Sequence, residues 1–145
     1  MNKPKDTIGK CVAQLYRINS KFLVKKYQKF NIGSGQYFFL IELYRKDGVS
    51  QEYLSDKLNV DKGTTAKAMK KLEELGYIKR LRCENDKRLY KIFLTDEALE
   101  IKEEFFNILN ENDKKVRSLI TEDEFNMVTT ILQKISKGLG DETHG

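Results

Sequence analysis

Apolar residues recur every three or four positions through roughly the first thirty residues of the chain, with lysines and arginines between them. The stripe comprises Ile8, Cys11, Val12, Leu15, Ile18 and Phe22. This spacing is typical of an amphipathic helix, which we place from about Thr7 to Phe30. The segment "NIGSGQ" interrupts the pattern with two glycines, and "QYFFLIELYRKDG" resumes it with apolar residues nearly all round. A second, buried helix is therefore predicted there.

The middle of the chain predicts two closely spaced helices followed by a β-hairpin. Ser50 is the expected N-cap of the first helix. The second helix carries Thr65, Met69 and Leu72 on one inward stripe, and Gly76 stands where a helix-terminating glycine is favoured. The β-prone runs "YIKRLR" and "LYKIFLT" then flank a polar turn, which indicates a hairpin with a longer loop.

The last third of the chain predicts long helices whose apolar faces have little to cover them. Thr95 is placed to cap one helix, whose apolar residues keep helical phase as far as Ile120. The capping box "TEDE", from Thr121 to Glu124, opens a final helix. A domain of this size cannot cover the apolar stripes of both the first helix and the last helices. We therefore expect the terminal helices to pack against a second copy of the chain.

These elements predict a mostly α-helical fold with a small β-hairpin wing, in the α+β class. In this order they form a winged helix-turn-helix with long terminal dimerisation helices. At 145 residues the chain is long enough for one domain, so a single folding unit is predicted. Within it, we assign residues 1–32 to the N-terminal dimerisation helix, 33–95 to the winged lobe and 96–145 to the C-terminal dimerisation helices.

Charge is distributed unevenly along the chain, and this matters more than its total. The formal net charge is +5, made of +7 in residues 1–48, +4 in residues 49–95 and −6 in residues 96–145. A basic first two-thirds joined to an acidic last third indicates one surface that faces a polyanion and a separate element that faces something else.

Histidines and cysteines do not occur at the spacings that catalytic or metal sites need. His144 is the only histidine, while Cys11 and Cys83 are far apart and in no C-x-x-C pair. Neither an enzyme nor a metal site is indicated, and no cofactor is predicted. No apolar run approaches the ~20 residues that span a bilayer, and the N-terminal segment lacks the apolar core of a signal peptide. No membrane partner and a cytoplasmic location are therefore predicted.

The candidate chemistry lies on the second of the paired helices and on the hairpin. A helix about 10–12 Å wide fits the major groove of DNA, where hydroxyls can meet base edges and lysines can meet phosphates or guanine. The outward face of the helix offers Thr64, Lys67, Lys70 and Lys71. The hairpin gathers Arg80, Arg82, Lys87, Arg88 and Lys91. Because arginine suits a narrow, strongly negative minor groove, double-stranded DNA is the predicted partner.

From "GQYFFLIELYRKDGVSQEYLSDKLNVDKGTTAKAMKKLEELGYIKR" to "DKRLYKIFLT" the chain resembles the MarR family of bacterial transcription regulators, and the likeness extends from about Ile8 to Lys137. Its most specific parts are Leu72-Glu73, Gly76 and Arg80, and the wing pattern of Asp86, Arg88, Leu94 and Thr95. The resemblance implies that Arg88 enters the minor groove, that Asp86 orients it by an ion pair and that the terminal helices form a homodimer. Ala98 departs from the family, which often has glycine after "LT".

The resemblance also implies how such a protein works. It favours a repressor in a bacterium or archaeon, associated with the nucleoid, that places two helices in successive major grooves of a pseudo-palindromic operator. The family divides between repressors released by small phenolic or lipophilic effectors and repressors released by cysteine oxidation, and both modes stay open here. Cys11 lies broadly where peroxide-sensing members keep their thiol, but its helical phase favours a buried packing cysteine.

Two other macromolecular partners compete with DNA. A winged helix that serves as a protein-interaction module would have an uncharged recognition face and wing, and this chain has neither. RNA binding favours aromatic residues interleaved with basic ones, and no such platform is evident. The sequence does not name the operator, the regulated genes, an effector or the sign of regulation.

Overall fold

A computed structural model describes residues 5–144 of the chain, with the backbone alone described for residues 142–144. Seven α-helices, a 3-10 turn and three strands follow one another in these residues. In chain order they are α1 (Ile8–Tyr27), the 3-10 turn (Gln28–Phe30), α2 (Tyr37–Arg45), β1 (Val49–Ser50), α3 (Gln51–Leu58), α4 (Lys62–Glu74), β2 (Ile78–Arg82), β3 (Tyr90–Leu94), α5 (Asp96–Glu100), α6 (Lys102–Arg117) and α7 (Glu122–His144). The predicted fold class, mostly α with a hairpin wing, is confirmed.

The chain forms two compact units, Met1–Ile108 and Leu109–Gly145. The boundary falls inside α6. The first unit contains α1 and the winged lobe, and the second contains the end of α6 and all of α7. The functional division of the chain at residues 32 and 95 stays a prediction.

The core of the first unit is built around α2, as its all-round apolar pattern predicts. Leu40 and Leu43 are completely buried, and burial of each such side chain stabilises the fold by roughly 1.5–3 kcal/mol. Tyr27 at the end of α1 stacks on Phe105 with ring centroids 4.7 Å apart. Its hydroxyl donates a hydrogen bond of 3.0 Å to the carbonyl of Phe105, so this buried polar group is satisfied.

Helices α3 and α4 are capped and joined by local polar contacts. The Ser50 hydroxyl accepts from the Tyr53 N–H at 3.0 Å, which confirms the predicted N-cap of α3. Asn59 ends that helix in the left-handed region with φ of 53°. Between the two helices, the buried Ser55 hydroxyl donates to the buried Thr65 hydroxyl at 2.8 Å. This buried contact fixes α3 against α4 without leaving a polar group unpaired.

The sheet has three antiparallel strands in the order β1-β3-β2, one more than the sequence predicts. The extra strand pairs Val49 with Ile92 and Ser50 with Lys91, so it ties the wing to the start of α3. Gly48 precedes it with φ of +73°, and a Cβ there would lie 2.9 Å from the Phe93 ring. Only glycine satisfies both the backbone conformation and the close approach.

Gly76 turns the chain from α4 into β2. Its φ is +85°, its N–H donates to the Glu73 carbonyl at 3.0 Å, and the N–H of Tyr77 donates to the Leu72 carbonyl at 3.0 Å. These two bonds define a Schellman motif, which confirms the predicted helix-terminating glycine. The hairpin therefore starts from a fixed point at the end of α4.

The helix predicted to run unbroken from Thr95 is interrupted at Ile101, so that prediction is wrong in this respect. Thr95 does cap α5, because its hydroxyl accepts from the Ala98 N–H at 3.3 Å. Tyr44 donates from its hydroxyl to the carbonyl of the buried Ala98, a contact between distant parts of the chain that helical phase alone cannot reveal. Leu99, an apolar residue of α5, is half exposed at 52%.

In the second unit, the capping box of α7 is confirmed. The Thr121 N–H donates to the Glu124 carboxylate at 2.9 Å, and the Glu124 N–H donates back to the Thr121 hydroxyl at 3.1 Å. Large apolar side chains of α7 are exposed: Met127, Val128, Ile131, Leu132 and Leu139. They form an uncovered apolar face along this helix.

Helix α1 has an uncovered apolar face of its own along its first half. Ile8, Leu15 and Ile18 are 58%, 58% and 60% exposed. Cys11 shares their helical phase and is exposed as well, so the expectation of a buried packing cysteine is not met in the single chain. Among the described residues, no helix combines the length and hydropathy that a bilayer crossing needs.

Candidate nucleic-acid interface

Helix α4 presents a cationic face opposite its buried stripe. Thr65, Met69 and Leu72 are completely buried, as predicted. At ~100° per residue, Thr64, Lys67 and Lys71 fall within an arc of about 60° on the other side. All three are exposed, as is the neighbouring Lys70, and no acidic residue occurs between Lys62 and Leu72. The face is therefore free to approach a polyanion.

Thr64 is fixed by the residue that caps α4. The Asp61 carboxylate accepts from the Thr64 N–H at 2.7 Å and from the Thr64 hydroxyl at 2.8 Å. These two bonds hold the pKa of Asp61 below its ordinary value. Because the hydroxyl hydrogen is used inside the protein, its lone pairs remain to accept from a base amino group.

At the tip of the wing, Asp86 both forms the turn and orients Arg88. Its carboxylate accepts from the Arg88 N–H at 3.1 Å, which makes an Asx-turn. It also accepts from Nε at 3.1 Å and from Nη2 at 3.2 Å of the Arg88 guanidinium. This pairing lowers the pKa of Asp86. The Arg88 side chain is 90% exposed, so the guanidinium is held in a set direction while it projects from the protein.

In the stem of the wing, Arg80 faces back onto α4. Its Nε and Nη2 donate to the two carboxylate oxygens of Glu73 at 3.3 Å and 3.2 Å, and this pair lowers the pKa of Glu73. The guanidinium groups of Arg80 and Arg82 lie 5.4 Å and 5.2 Å from the Tyr90 ring centroid. Arg82 also donates to the carbonyl of Lys87 at 3.2 Å. Both arginines therefore already have partners within the wing and the helix beside it.

The remaining predicted residues divide between exposed and half-buried positions. Lys87 and Lys91 are exposed on the wing. Cys83 is half-buried, and its N–H donates to the Leu89 carbonyl at 2.9 Å to close the wing loop. Cys11 lies on α1 and is in none of these clusters. The side chain of His144 lies outside the described residues.

The structure adds a small cavity of about 140 Å³ between the start of α3, the start of α4 and the wing. Its lining includes Gln51, Lys62 and Arg88. Lys62 pairs with Glu52 at 3.7 Å and keeps 83% of its side chain exposed. The sequence does not indicate these neighbours, because the strand that joins them to the wing, β1, is two residues long and has no periodicity. Only the charge of Lys62 at the start of α4 was a usable signal.

Known proteins that resemble this chain identify its family. The MarR family model matches residues 32–90, which span the helix pair and most of the wing. The HTH-type transcriptional regulator BilQ of Clostridium symbiosum is 34% identical over 116 residues, covering 80% of this chain and 81% of that protein. The chain belongs to the MarR family.

Solved structures of transcription regulators and DNA-bound proteins share the fold along almost the whole chain. A MarR transcriptional regulator from Methanosarcina mazei is 39% identical with a TM-score of 0.85, covering 92% of this chain and 96% of that one. The structure of reduced AbfR bound to DNA is 27% identical with a TM-score of 0.73, covering 89% and 88%. The protein is thus a DNA-binding transcription regulator of the MarR family and not an enzyme, which confirms the family predicted from the sequence.

Proposed function

We propose that this MarR-family protein is a homodimeric repressor that binds a pseudo-palindromic operator, in the cytoplasm and on the nucleoid. The observation that carries the proposal is the Arg88 guanidinium, which is 90% exposed and yet held by the two hydrogen bonds that it donates to Asp86. An exposed arginine gains little from such pairing, whereas a guanidinium that must enter a narrow minor groove gains from being oriented in advance.

In the proposed complex, the cationic face of α4 lies in the major groove. Thr64 accepts from a base amino group, and Lys67, Lys70 and Lys71 contact guanine or phosphates. Lys87 and Lys91 contact phosphates beside the wing. Arg80 and Arg82 are candidate DNA contacts by sequence. Their partners Glu73 and Tyr90 compete with phosphate, so we assign the two arginines to bracing the wing against α4.

The uncovered apolar faces of α1 and α7 support the proposed dimer. An apolar stripe of this length on a monomer carries a cost in water that a second copy removes. Two copies would set the recognition helices about one helical turn of DNA apart. Release by a small phenolic or lipophilic effector and release by oxidation of the exposed Cys11 both remain predictions, as does repression itself.

The test is a titration of purified protein into labelled duplex from its own upstream intergenic region and into a scrambled duplex, at several salt concentrations. Wild type is compared with Arg88→Ala and with Arg17→Ala, which removes an exposed arginine on the side of α1 away from its apolar stripe. We expect tight, sequence-dependent binding with a log–log salt slope of magnitude about 5 or more. Arg88→Ala lowers affinity, and Arg17→Ala does not.

Equal, weak binding to both duplexes, with Arg88→Ala unchanged, would contradict the proposal for this promoter. A genome-wide selection of bound fragments then separates an operator elsewhere from a protein that does not read DNA sequence. Adding peroxide or a phenolic acid to the bound complex distinguishes the two modes of release.

A further inference from the structure

The carboxylate of Asp47 joins the end of helix α2 to the central strand of the sheet. Its Oδ1 atom accepts from the Leu94 N–H at 2.9 Å and from the Gly48 N–H at 2.9 Å. Asp47 lies just after the last residue of α2, whereas Leu94 is the last residue of β3. The carboxylate therefore connects two elements that are 47 positions apart in the chain.

The Asp47 side chain takes the place of a main-chain carbonyl. Strand β1 has only two residues, which pair with Ile92 and Lys91 of β3. The N–H groups of Ile92 and Leu94 point to the same side of β3, because the backbone groups of successive strand residues alternate in direction. Strand β1 begins too late in the chain to reach Leu94, so the carboxylate supplies the acceptor that a longer strand would have provided.

Helix α4 holds the base of the wing as well. The Glu73 carboxylate pairs with Arg80 of β2, and the Thr95 hydroxyl donates to the Gly76 carbonyl at 2.6 Å. Anchors to α4 alone restrain the hairpin from one helix. Asp47 adds an anchor at the end of a second helix, α2, so the base of the wing is held from two directions.

A small rotation at the base of the wing becomes a large displacement at its tip. Arg88, the proposed minor-groove contact, lies six residues before Leu94. At ~3.3 Å per residue, the tip lies up to about 20 Å from the bond to Asp47. A rotation of about 5° at that end moves Arg88 by about 2 Å, which is about a third of the ~6 Å width of the minor groove. The direction of Arg88 therefore depends on the base of the wing as well as on Asp86.

We infer that Asp47 is a positioning residue for operator binding, which fixes the wing against the end of α2 and so sets where Arg88 projects. It acts through hydrogen-bond geometry and not through an ion pair, because Asp47 has no such pair among the residues that the structure describes. Its negative charge repels the DNA backbone, so a direct contact with phosphate would oppose binding. This inference rests on the proposed function, in which Arg88 enters the minor groove.

The first experiment measures the clamp without DNA. Asp47→Ala removes both carboxylate oxygens, whereas Asp47→Asn removes the same charge and keeps an oxygen that can accept from both N–H groups. In full-length protein, the Leu94 N–H should exchange with solvent at least about tenfold faster in Asp47→Ala than in wild type, and within about twofold of wild type in Asp47→Asn. Residual dipolar couplings of residues 78–94 should show a rotated hairpin in Asp47→Ala alone. Equal exchange in all three proteins, or an unrotated hairpin in Asp47→Ala, would overturn the inference.

The second experiment adds the operator duplex, at a temperature where all variants are fully folded. Asp47→Ala should weaken operator binding about fivefold, because the wing no longer presents Arg88 in one direction. Asp47→Asn should bind the operator as wild type does or slightly more tightly, because it keeps the acceptor and loses a negative charge. Both variants lose the same charge, so equal affinities of the two would show that the acceptor has no part in DNA binding, and the inference would be wrong.

A double-mutant cycle shows whether Asp47 acts through the tip of the wing. In protein that already carries Arg88→Ala, Asp47→Ala should weaken operator binding by no more than about 1.5-fold further. The full fivefold loss in both backgrounds would mean that Asp47 does not act through Arg88, which contradicts the inference. Equal, weak binding of wild type to operator and scrambled duplex would instead contradict the proposed function. The exchange and dipolar-coupling measurements without DNA would then still decide whether Asp47 orients the wing.

Discussion

The wing has two carboxylate–guanidinium pairs, one at its tip and one between its stem and α4. At the tip, Asp86 holds a guanidinium whose side chain is 90% exposed. In the stem, Glu73 holds the guanidinium of Arg80, whose side chain is 26% exposed, and the Tyr90 ring lies beside it. Both carboxylates accept two hydrogen bonds from one guanidinium, so the side-chain chemistry within each pair is nearly the same.

The difference is in what each pair connects. The tip pair joins two residues of one turn and leaves the guanidinium facing outward. The stem pair joins α4 to β2, seven residues apart, and turns the guanidinium inward. We therefore propose that local exposure, and not residue type, separates an arginine that reads DNA from an arginine that braces the wing.

The largest expected effect on operator affinity comes from Arg88→Lys, which keeps the positive charge at the tip of the wing and removes the planar guanidinium. A lysine ammonium cannot donate the two parallel hydrogen bonds that the guanidinium gives to Asp86. It also does not fit a narrow minor groove in the same way. We expect operator affinity to fall about tenfold, or about 1.4 kcal/mol, with the melting temperature unchanged. Fluorescence anisotropy at fixed salt measures the affinity. An unchanged affinity would mean that Arg88 acts only as a charge near phosphate.

Arg80→Ala tests the stem and should act mainly on stability. The variant removes a bidentate ion pair and a cation–π contact, both partly exposed, so we expect a loss of about 1 kcal/mol, or about 3 °C in the melting temperature. Operator affinity should fall by no more than about threefold. Arg17→Ala is the control for removing an exposed arginine. A large loss of affinity with unchanged stability would place Arg80 on the DNA instead.

This contrast marks the limit of what the sequence could tell. Repeating patterns carry information about which face of a helix is buried, so the inward stripe of Thr65, Met69 and Leu72 was predicted correctly. Gly76 and the caps at Ser50 and Thr95 were also found, because their chemistry is local.

Contacts between distant residues were not predictable in the same way. Composition gathers Arg80, Arg82 and Arg88 into one basic hairpin, and nothing in the pattern shows that Glu73 and Tyr90 lie beside the first two. The two-residue strand β1 is too short to have a period. The break at Ile101 is not visible in the sequence either, because helical phase continues through it, and the hydrogen bond from Tyr44 to the nearby Ala98 joins residues far apart in the chain.

Tyr90→Leu sharpens the comparison by removing the ring while leaving both stem charges in place. Two guanidinium groups lie over this ring at 5.4 Å and 5.2 Å. At partly exposed sites such contacts contribute about 0.5–1 kcal/mol, so urea unfolding should show a loss of that size. The matched control is Tyr53→Leu. Tyr53 lies outside the wing, and the Lys46 ammonium lies 5.1 Å from the centroid of its ring. If both variants lose equal stability and Tyr90→Leu binds the operator normally, Tyr90 does not brace the wing.

The smallest expected effect is a pH dependence that belongs to the stem. Hydrogen bonds from Arg80 lower the pKa of Glu73 from its ordinary value of 4.5, so the stability that this pair contributes is present above that value. It is lost as pH falls through the lower pKa of the folded state. Because Glu73 is substantially exposed, we expect only a few tenths of a kcal/mol. Urea unfolding of wild type and Glu73→Gln between pH 6 and pH 3 should show wild type more stable at the upper end and the two converging at the lower end. A constant difference across that range would mean that the charge of Glu73 does not stabilise the stem.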